Sequence, residues 1–290
     1  MISRAIFSLV FFSVLLSCGA QEDFGKLTYK TALPDLLKET SGIAYNEQDQ
    51  SVYTINDSGH GPIIYNITPK TGKINKAITL QKAANIDWED ITADEDHIYI
   101  GDFGNNGNYR KDLAIYTVSK VDIEDGNAFA KASKISFSYS DQTEFPPKKS
   151  ERNFDVEAFF LLNDHFYLFT RNREKNYDGT TTCYKLPNKE GIHVAERIHS
   201  FPTCDDQTDC LITSAAIHKP SGKIALLSYN KVWILSNYEG DDFFSGTVEK
   251  IKLGHRSQKE GITFKDENTL LIADEGSKRH SSTIYELTMD

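Results

Sequence analysis

Zinc-site spacing is missing from this chain. Its 4 cysteines and 8 histidines are scattered over 290 residues without the paired arrangement a tetrahedral metal centre needs. A block of lysine and arginine is missing too. The formal net charge is −10, with acids spread along the chain, which argues against a basic nucleic-acid face and favours cation binding. Long hydrophobic runs are confined to the start, where Arg4 precedes Ala5-Ile6-Phe7-Ser8-Leu9-Val10-Phe11-Phe12 and then Val14-Leu15-Leu16. That stretch is too short for a good spanning helix, and no other segment is apolar enough to be one. A charged start and a short apolar centre are the marks of an export signal.

Leu15-Leu16-Ser17-Cys18 resembles the lipobox of bacterial lipoproteins, which implies cleavage before Cys18 and lipidation of that residue. An ordinary secretory signal cleaved nearby is the alternative. The organisation expected is therefore a signal peptide over 1–17, a short tether over 18–25 and one domain over 26–290. Such a domain is held to the outer membrane through its lipid and is exposed at the cell surface if Gln21-Glu22-Asp23 acts as an acidic export signal. Apart from Cys18 the cysteines are Cys183, Cys204 and Cys210. Cys204 and Cys210 flank a short polar loop that either closes as a disulfide or carries two free thiols.

Five short segments share a pattern: Ser or Glu, then a small or acidic residue, then a strand-like apolar run. They start at Ser41, Glu89, Glu157, Ser214 and Glu260, spaced 48, 68, 57 and 46 positions apart, near the period of a propeller blade. Each repeat holds further strand patterns bounded by turn formers. The first reads as strands at 42–45, 51–55, 63–67 and 74–80, and the next three likewise supply four. The fifth supplies three, and the segment 26–33, with Leu27, Tyr29, Thr31 and Leu33 on one face, can supply its fourth. The fold expected is an all-β, five-bladed propeller closed by an N-terminal strand, with six blades as the alternative. Polar stretches at 121–130 and 140–153 read as surface excursions that lengthen the second spacing. Trp88 and Trp233 read as packing residues.

In a propeller the innermost strands line a central channel, so their first residues meet at one mouth. Three carboxylates facing one another there need a cation to stay ionised. Ser41, Glu89, Glu157, Ser214 and Glu260 are thus the expected metal ligands, and an oxygen-only set suits calcium. Turns after the second strands return to the same mouth. They bring Asp57, Asp102 and Asp274 as groups to orient or deprotonate a water, and Arg171 and Arg173 as partners for an anion.

Ser41, Glu89, Glu157, Ser214 and Glu260, in that chain order, resemble the calcium-binding set of the calcium-activated nucleotidases, or apyrases. The resemblance implies a five-bladed propeller with a central calcium. The opening Glu39-Thr40-Ser41-Gly42-Ile43-Ala44-Tyr45 also looks like the start of SdiA-regulated and esterase-like phytase propellers. Two functions follow as expectations. One is a calcium-stabilised surface lipoprotein that binds a small anionic ligand or a surface protein. The other is a calcium-dependent phosphohydrolase acting on an extracytoplasmic phosphate ester.

Overall fold

The structure is a computed structural model that describes residues 23–289 except residue 125, and the side chain of residue 124 is also left out. The expected signal peptide, Cys18 and part of the expected tether lie outside the described residues. β1 (Thr28–Ala32) precedes a first group of four strands, β2 (Thr40–Asn46), β3 (Ser51–Asn56), β4 (Ile63–Ile67) and β5 (Ile74–Gln81). The second group is β6 (Trp88–Ala93), β7 (His97–Asp102), β8 (Ala114–Ser119) and β9 (Phe129–Tyr139), with a short helix, α1 (Lys120–Glu124), before β9. The third is β10 (Val156–Leu162), β11 (His165–Thr170), β12 (Thr180–Pro187) and β13 (Gly191–Pro202). The fourth is β14 (Ser214–His218), β15 (Lys223–Leu227), β16 (Lys231–Ser236) and β17 (Thr247–Lys252). β18 (Lys259–Asp266), β19 (Thr269–Asp274) and β20 (Thr283–Thr288) complete the series. Within each group neighbouring strands pair antiparallel.

Burial grades across each group. In β2 and β10 nearly every residue is buried, whereas β17 is mostly exposed and β13 has a single buried residue. The first strand of each group is thus packed on both faces, and the fourth lies outermost. Five apolar clusters fill the spaces between successive groups. Ile55, Ile64 and Ile78 meet Trp88, Ile91 and Ile98 between the first and second. Ile43, Val52 and Tyr65 meet Leu271, Ala273 and Ile284 between the first and the last. Because the last cluster joins the chain's two ends, the arrangement closes on itself as a β-propeller. Trp88 and Trp233 are both fully buried in these clusters.

β1 pairs antiparallel with β20, so the N-terminal strand completes the last group and covers its edge. The simple alternation expected for 26–33 is only partly realised. Leu27 and Leu33 are buried but Tyr29 is exposed, because a register shift between Tyr29 and Thr31 breaks the period of two. The stretch 121–130 is also more than a surface excursion. It contains the end of α1, with Ile123 buried, and the start of β9, which runs parallel to β5 at residues 129–131 and to β13 at residues 135–139. These outer pairings join three groups into one sheet of twelve strands. Cys204 and Cys210 are joined in a disulfide, and Cys183 is free and buried.

Candidate metal centre at the propeller mouth

Four innermost strands begin with an irregularity. The pairing register steps over one residue between Thr40 and Gly42, Trp88 and Asp90, Val156 and Ala158, and Lys259 and Gly261. The residues passed over are Ser41, Glu89, Glu157 and Glu260. A bulge leaves its extra residue unpaired and re-aims the side chain, which explains why polar groups tolerate the start of strands that are otherwise apolar. Ser214 opens β14 without such a step, paired opposite Leu227, whose carbonyl accepts from Thr213 N at 2.9 Å.

Two further sets of residues come to the mouth from neighbouring positions. Two residues before each bulge stand Glu39, Asp87, Asp155, Ile212 and Gln258, and one residue beyond the second strands or their equivalent stand Asp57, Phe103, Arg171, Tyr229 and Glu275. Backbone bonds connect these sets: Asp57 N donates to Glu39 O at 2.9 Å, Arg171 N to Asp155 O at 2.7 Å and Glu275 N to Gln258 O at 2.8 Å. Asp87, Asp155, Tyr229 and Glu275 were absent from the expected site. Asp87 and Asp155 carry a readable signal, because they stand two positions before Glu89 and Glu157 and side chains two positions apart on a strand share a face.

The acids form two overlapping clusters. Asp57, Asp87 and Glu89 each offer an oxygen within 4.8 Å of the others, and so do Glu89, Asp155 and Glu157, making Glu89 common to both. Glu157 accepts from Arg171 Nη1 and, at 2.7 Å, from Arg173 Nη2, while Arg173 Nε donates to Asp155 Oδ2 at 2.5 Å. Arg171 Nη2 also donates to the Tyr229 hydroxyl at 2.9 Å, which donates in turn to Glu260 Oε1 at 3.3 Å. By contrast, Asp57, Asp87 and Glu89 have no lysine or arginine ion pair among the described residues.

Electrostatics follow from this uneven pairing. Burial, then the charges of Glu157 and Asp57, push the Glu89 carboxyl well above its ordinary range. Burial and Asp57 raise Asp87 to about 6. Asp155 is raised to about 7 by burial and Glu157, against the pull of Arg173. Glu275 is raised to about 7 by burial, Asp57 and Glu39. Burial raises Asp57 as well, opposed by the backbone N–H of Ser58. The acidic clusters could hold a metal ion, since a divalent cation would offset both desolvation and mutual repulsion. The buried Ser41 Oγ has no hydrogen-bond partner among the described residues, which leaves a further oxygen for such an ion or its water.

Five expected site residues are committed to partners within the protein. Asp102 Oδ1 accepts from Arg110 Nη2 and Asp87 N, both at 3.0 Å. Asp274 accepts from Thr283 N at 2.8 Å and from the Tyr285 hydroxyl at 2.9 Å. Both end their strands, in phase with Asn56 and Thr170, whereas Asp57 lies one residue further on. One position moves a side chain to the other face, so neither Asp102 nor Asp274 joins the acidic clusters. Ser214 Oγ donates to Asp90 Oδ1 at 3.1 Å and accepts from Ile262 N at 3.1 Å. Arg171 and Arg173, expected as anion partners, are committed to carboxylates.

Asp90 is the residue that spacing alone did not single out. The equivalent position is Gly42, Ala158, Ala215 and Gly261 in the other groups, and the room left at Gly42 is taken by the Asp90 carboxyl, whose Oδ1 would lie 2.9 Å from a Cβ there. It accepts from Ile91 N at 2.9 Å, Phe159 N at 3.1 Å and Ala215 N at 3.4 Å, so one side chain fastens three innermost strands together.

No protein-family model matches the chain, and comparison with curated proteins finds no relative. Among solved structures the chain is similar to a PQQ-bound aldose sugar dehydrogenase from Streptomyces coelicolor, at 10% identity and a TM-score of 0.48 over 91% of this chain and 98% of that one. It is also similar to a gluconolactonase from Xanthomonas campestris, at 11% identity and a TM-score of 0.45 over 90% and 88%. A luciferin-regenerating enzyme gives 12% identity and a TM-score of 0.44 over 87% and 91%.

Proposed function

We propose that this protein is a calcium-binding propeller of the cell surface, anchored to the outer membrane by a lipid on Cys18, whose mouth binds a ligand across the metal. The observation that carries the reading is the unneutralised trio Asp57, Asp87 and Glu89, with carboxylate oxygens within 4.8 Å of one another. Calcium suits this set because every nearby donor is oxygen and the carboxylates come from two strand starts and a turn, a loose geometry that magnesium tolerates poorly. Asp57, Asp87, Glu89 and Ser41 would hold the ion. Arg171 and Arg173 would pair with Glu157 and Asp155 and orient them behind it. When bound, the ion supplies a Lewis-acidic centre with open positions for ligand oxygens.

Calorimetric titration tests the metal. Calcium should bind the purified domain, with magnesium much weaker, and Glu89→Gln should weaken calcium at least tenfold, about 1.4 kcal/mol. Unchanged affinity in that variant, or no calcium binding to the parent protein, overturns the reading.

A calcium-dependent phosphohydrolase has one observation in its favour. Glu275 follows its second strand in the same phase as Asp57 and makes no ion pair among the described residues, and its value near 7 lets it accept a proton from water at neutral pH. Phosphate release from nucleoside di- and triphosphates, with calcium and with chelator, decides between the two. Calcium-dependent turnover lost in Glu275→Gln establishes the hydrolase; no release leaves the binding protein.

A further inference from the structure

Beside the mouth, the loop 103–112 holds an aromatic ring in solvent. Its backbone is fixed from within and below. Asn105 N donates to Asp155 Oδ1 at 2.6 Å, Asn105 Nδ2 to Phe154 O at 3.1 Å and Asn108 Nδ2 to Asn105 O at 3.0 Å. Phe154 N and Arg110 N donate to the Asn108 and Asn105 side chains, each at 2.9 Å. Asn105 and Asn108 are buried, yet Tyr109 between Asn108 and Arg110 is 63% exposed. Its ring lies against Gly107, where a Cβ would stand 2.2 Å from Tyr109 Cε1. The loop therefore fixes the ring without covering it, leaving its apolar face open to a stacking partner.

Ile86, 50% exposed, faces the same opening. Together with Asp87, Tyr109, Arg110, Lys111 and Asp112 it lines a cleft of about 630 Å³. The cleft meets the metal centre. Asp87 belongs to both, and Gly104 sits so close to the carboxylates that a Cβ there would lie 2.1 Å from Glu89 Oε1 and 2.5 Å from Asp87 Oδ2.

We propose that this cleft binds a neutral saccharide, with the C–H face of a sugar ring stacked on Tyr109 beside Ile86 and its hydroxyls on the cation held by Asp57, Asp87 and Glu89. The inference rests on the calcium reading above. Charge decides the ligand class. The Arg110 guanidinium is taken by Asp102, Asp112 and Gly104 O, and Arg171 and Arg173 by Glu157 and Asp155. Lys111 Nζ lies over the Phe145 ring, 4.6 Å from its centroid. Glu39, Asp57, Asp87, Glu89 and Glu275 outnumber one divalent ion, so an anion would meet net repulsion. Sugar hydroxyls instead donate to carboxylates and give lone pairs to the cation.

The test is calorimetric titration of neutral hexoses and their oligomers into the domain with calcium, repeated in chelator and with Tyr109→Ala. At least one neutral sugar should bind, binding should vanish in chelator, and Tyr109→Ala should weaken it roughly tenfold, within the range of an aromatic stacking contact. Calcium affinity and melting temperature of that variant should stay at parent values, since Tyr109 is exposed and makes no part of the metal trio. Calcium binding without binding of any neutral sugar overturns the saccharide while leaving the metal. Sugar binding that survives chelator, is unchanged in Tyr109→Ala, or is confined to sulfated or phosphorylated sugars also overturns it. Absence of calcium binding in the same titrations separately identifies failure of the metal reading.

Discussion

Glu157 is the residue on which the mouth's charges balance. It is nearly buried and takes both Arg171 and Arg173, so removing its charge leaves two partly buried guanidiniums with only Asp155 and Tyr229 to share. Breaking one side of a buried pair costs more than the pair contributes, because the orphaned charge keeps its desolvation penalty. Glu157→Gln is therefore expected to destabilise the domain by about 3 kcal/mol, read as a lower denaturant midpoint. Glu89→Gln has the opposite local sense. It removes a carboxylate raised by burial and by its acidic neighbours, so without metal it should be neutral or stabilising while calcium affinity falls. The same midpoints, measured with chelator, separate a structural acid from a ligand.

At the scale of elements, the bulge at the start of the innermost strands links fold to site. It recurs at Ser41, Glu89, Glu157 and Glu260, and each time the following residue is small except at Asp90. Those small residues are a packing requirement. A Cβ on Gly42 would stand 2.8 Å from Ile91 N and 2.9 Å from Asp90 Oδ1, displacing the carboxyl that collects backbone N–H groups from three strands. Gly42→Ala should lower stability by about 2 kcal/mol, the cost of overpacking a filled interior. A thermal melt within a degree of the parent would show that the channel has room to spare.

The whole molecule closes by pairing β1 with β20 and by sharing apolar clusters between neighbouring groups, which forces five strand starts, and their charges, into one small volume. Stability should therefore depend on pH in an unusual direction. Asp87, Asp155 and Glu275 are raised to about 6, 7 and 7 from ordinary values of 3.8, 3.8 and 4.5. Between about pH 4 and 7 the folded chain thus holds more protons than the unfolded one, and stability falls as pH rises. In chelator the melting temperature should be higher at pH 5 than at pH 7.5. Saturating calcium should narrow or reverse that difference, by stabilising the ionised form. A metal-free melting temperature that rises steadily from pH 5 to 7.5 would contradict the clustering of these acids.

The strands were legible in the chain because alternation and turn residues are local properties. Ser51–Asn56 and Ile63–Ile67 lie within a residue of the runs their patterns mark. The strand-start polar residues were legible for the same reason, since a Ser or Glu opening an apolar run repeats at regular intervals. What tertiary structure decided is which of those polar groups remain free. Phase at a strand end separates Asp57 from Asp102 and Asp274 by a single residue, and a bulge at Tyr29 breaks the alternation of β1. Ser214 spends its hydroxyl on Asp90, and the two arginines expected to meet an anion instead pair with Glu157 and Asp155. The Ser214–Asp90 pairing joins residues 124 positions apart, and it depends on closure of the ring, which no local pattern encodes.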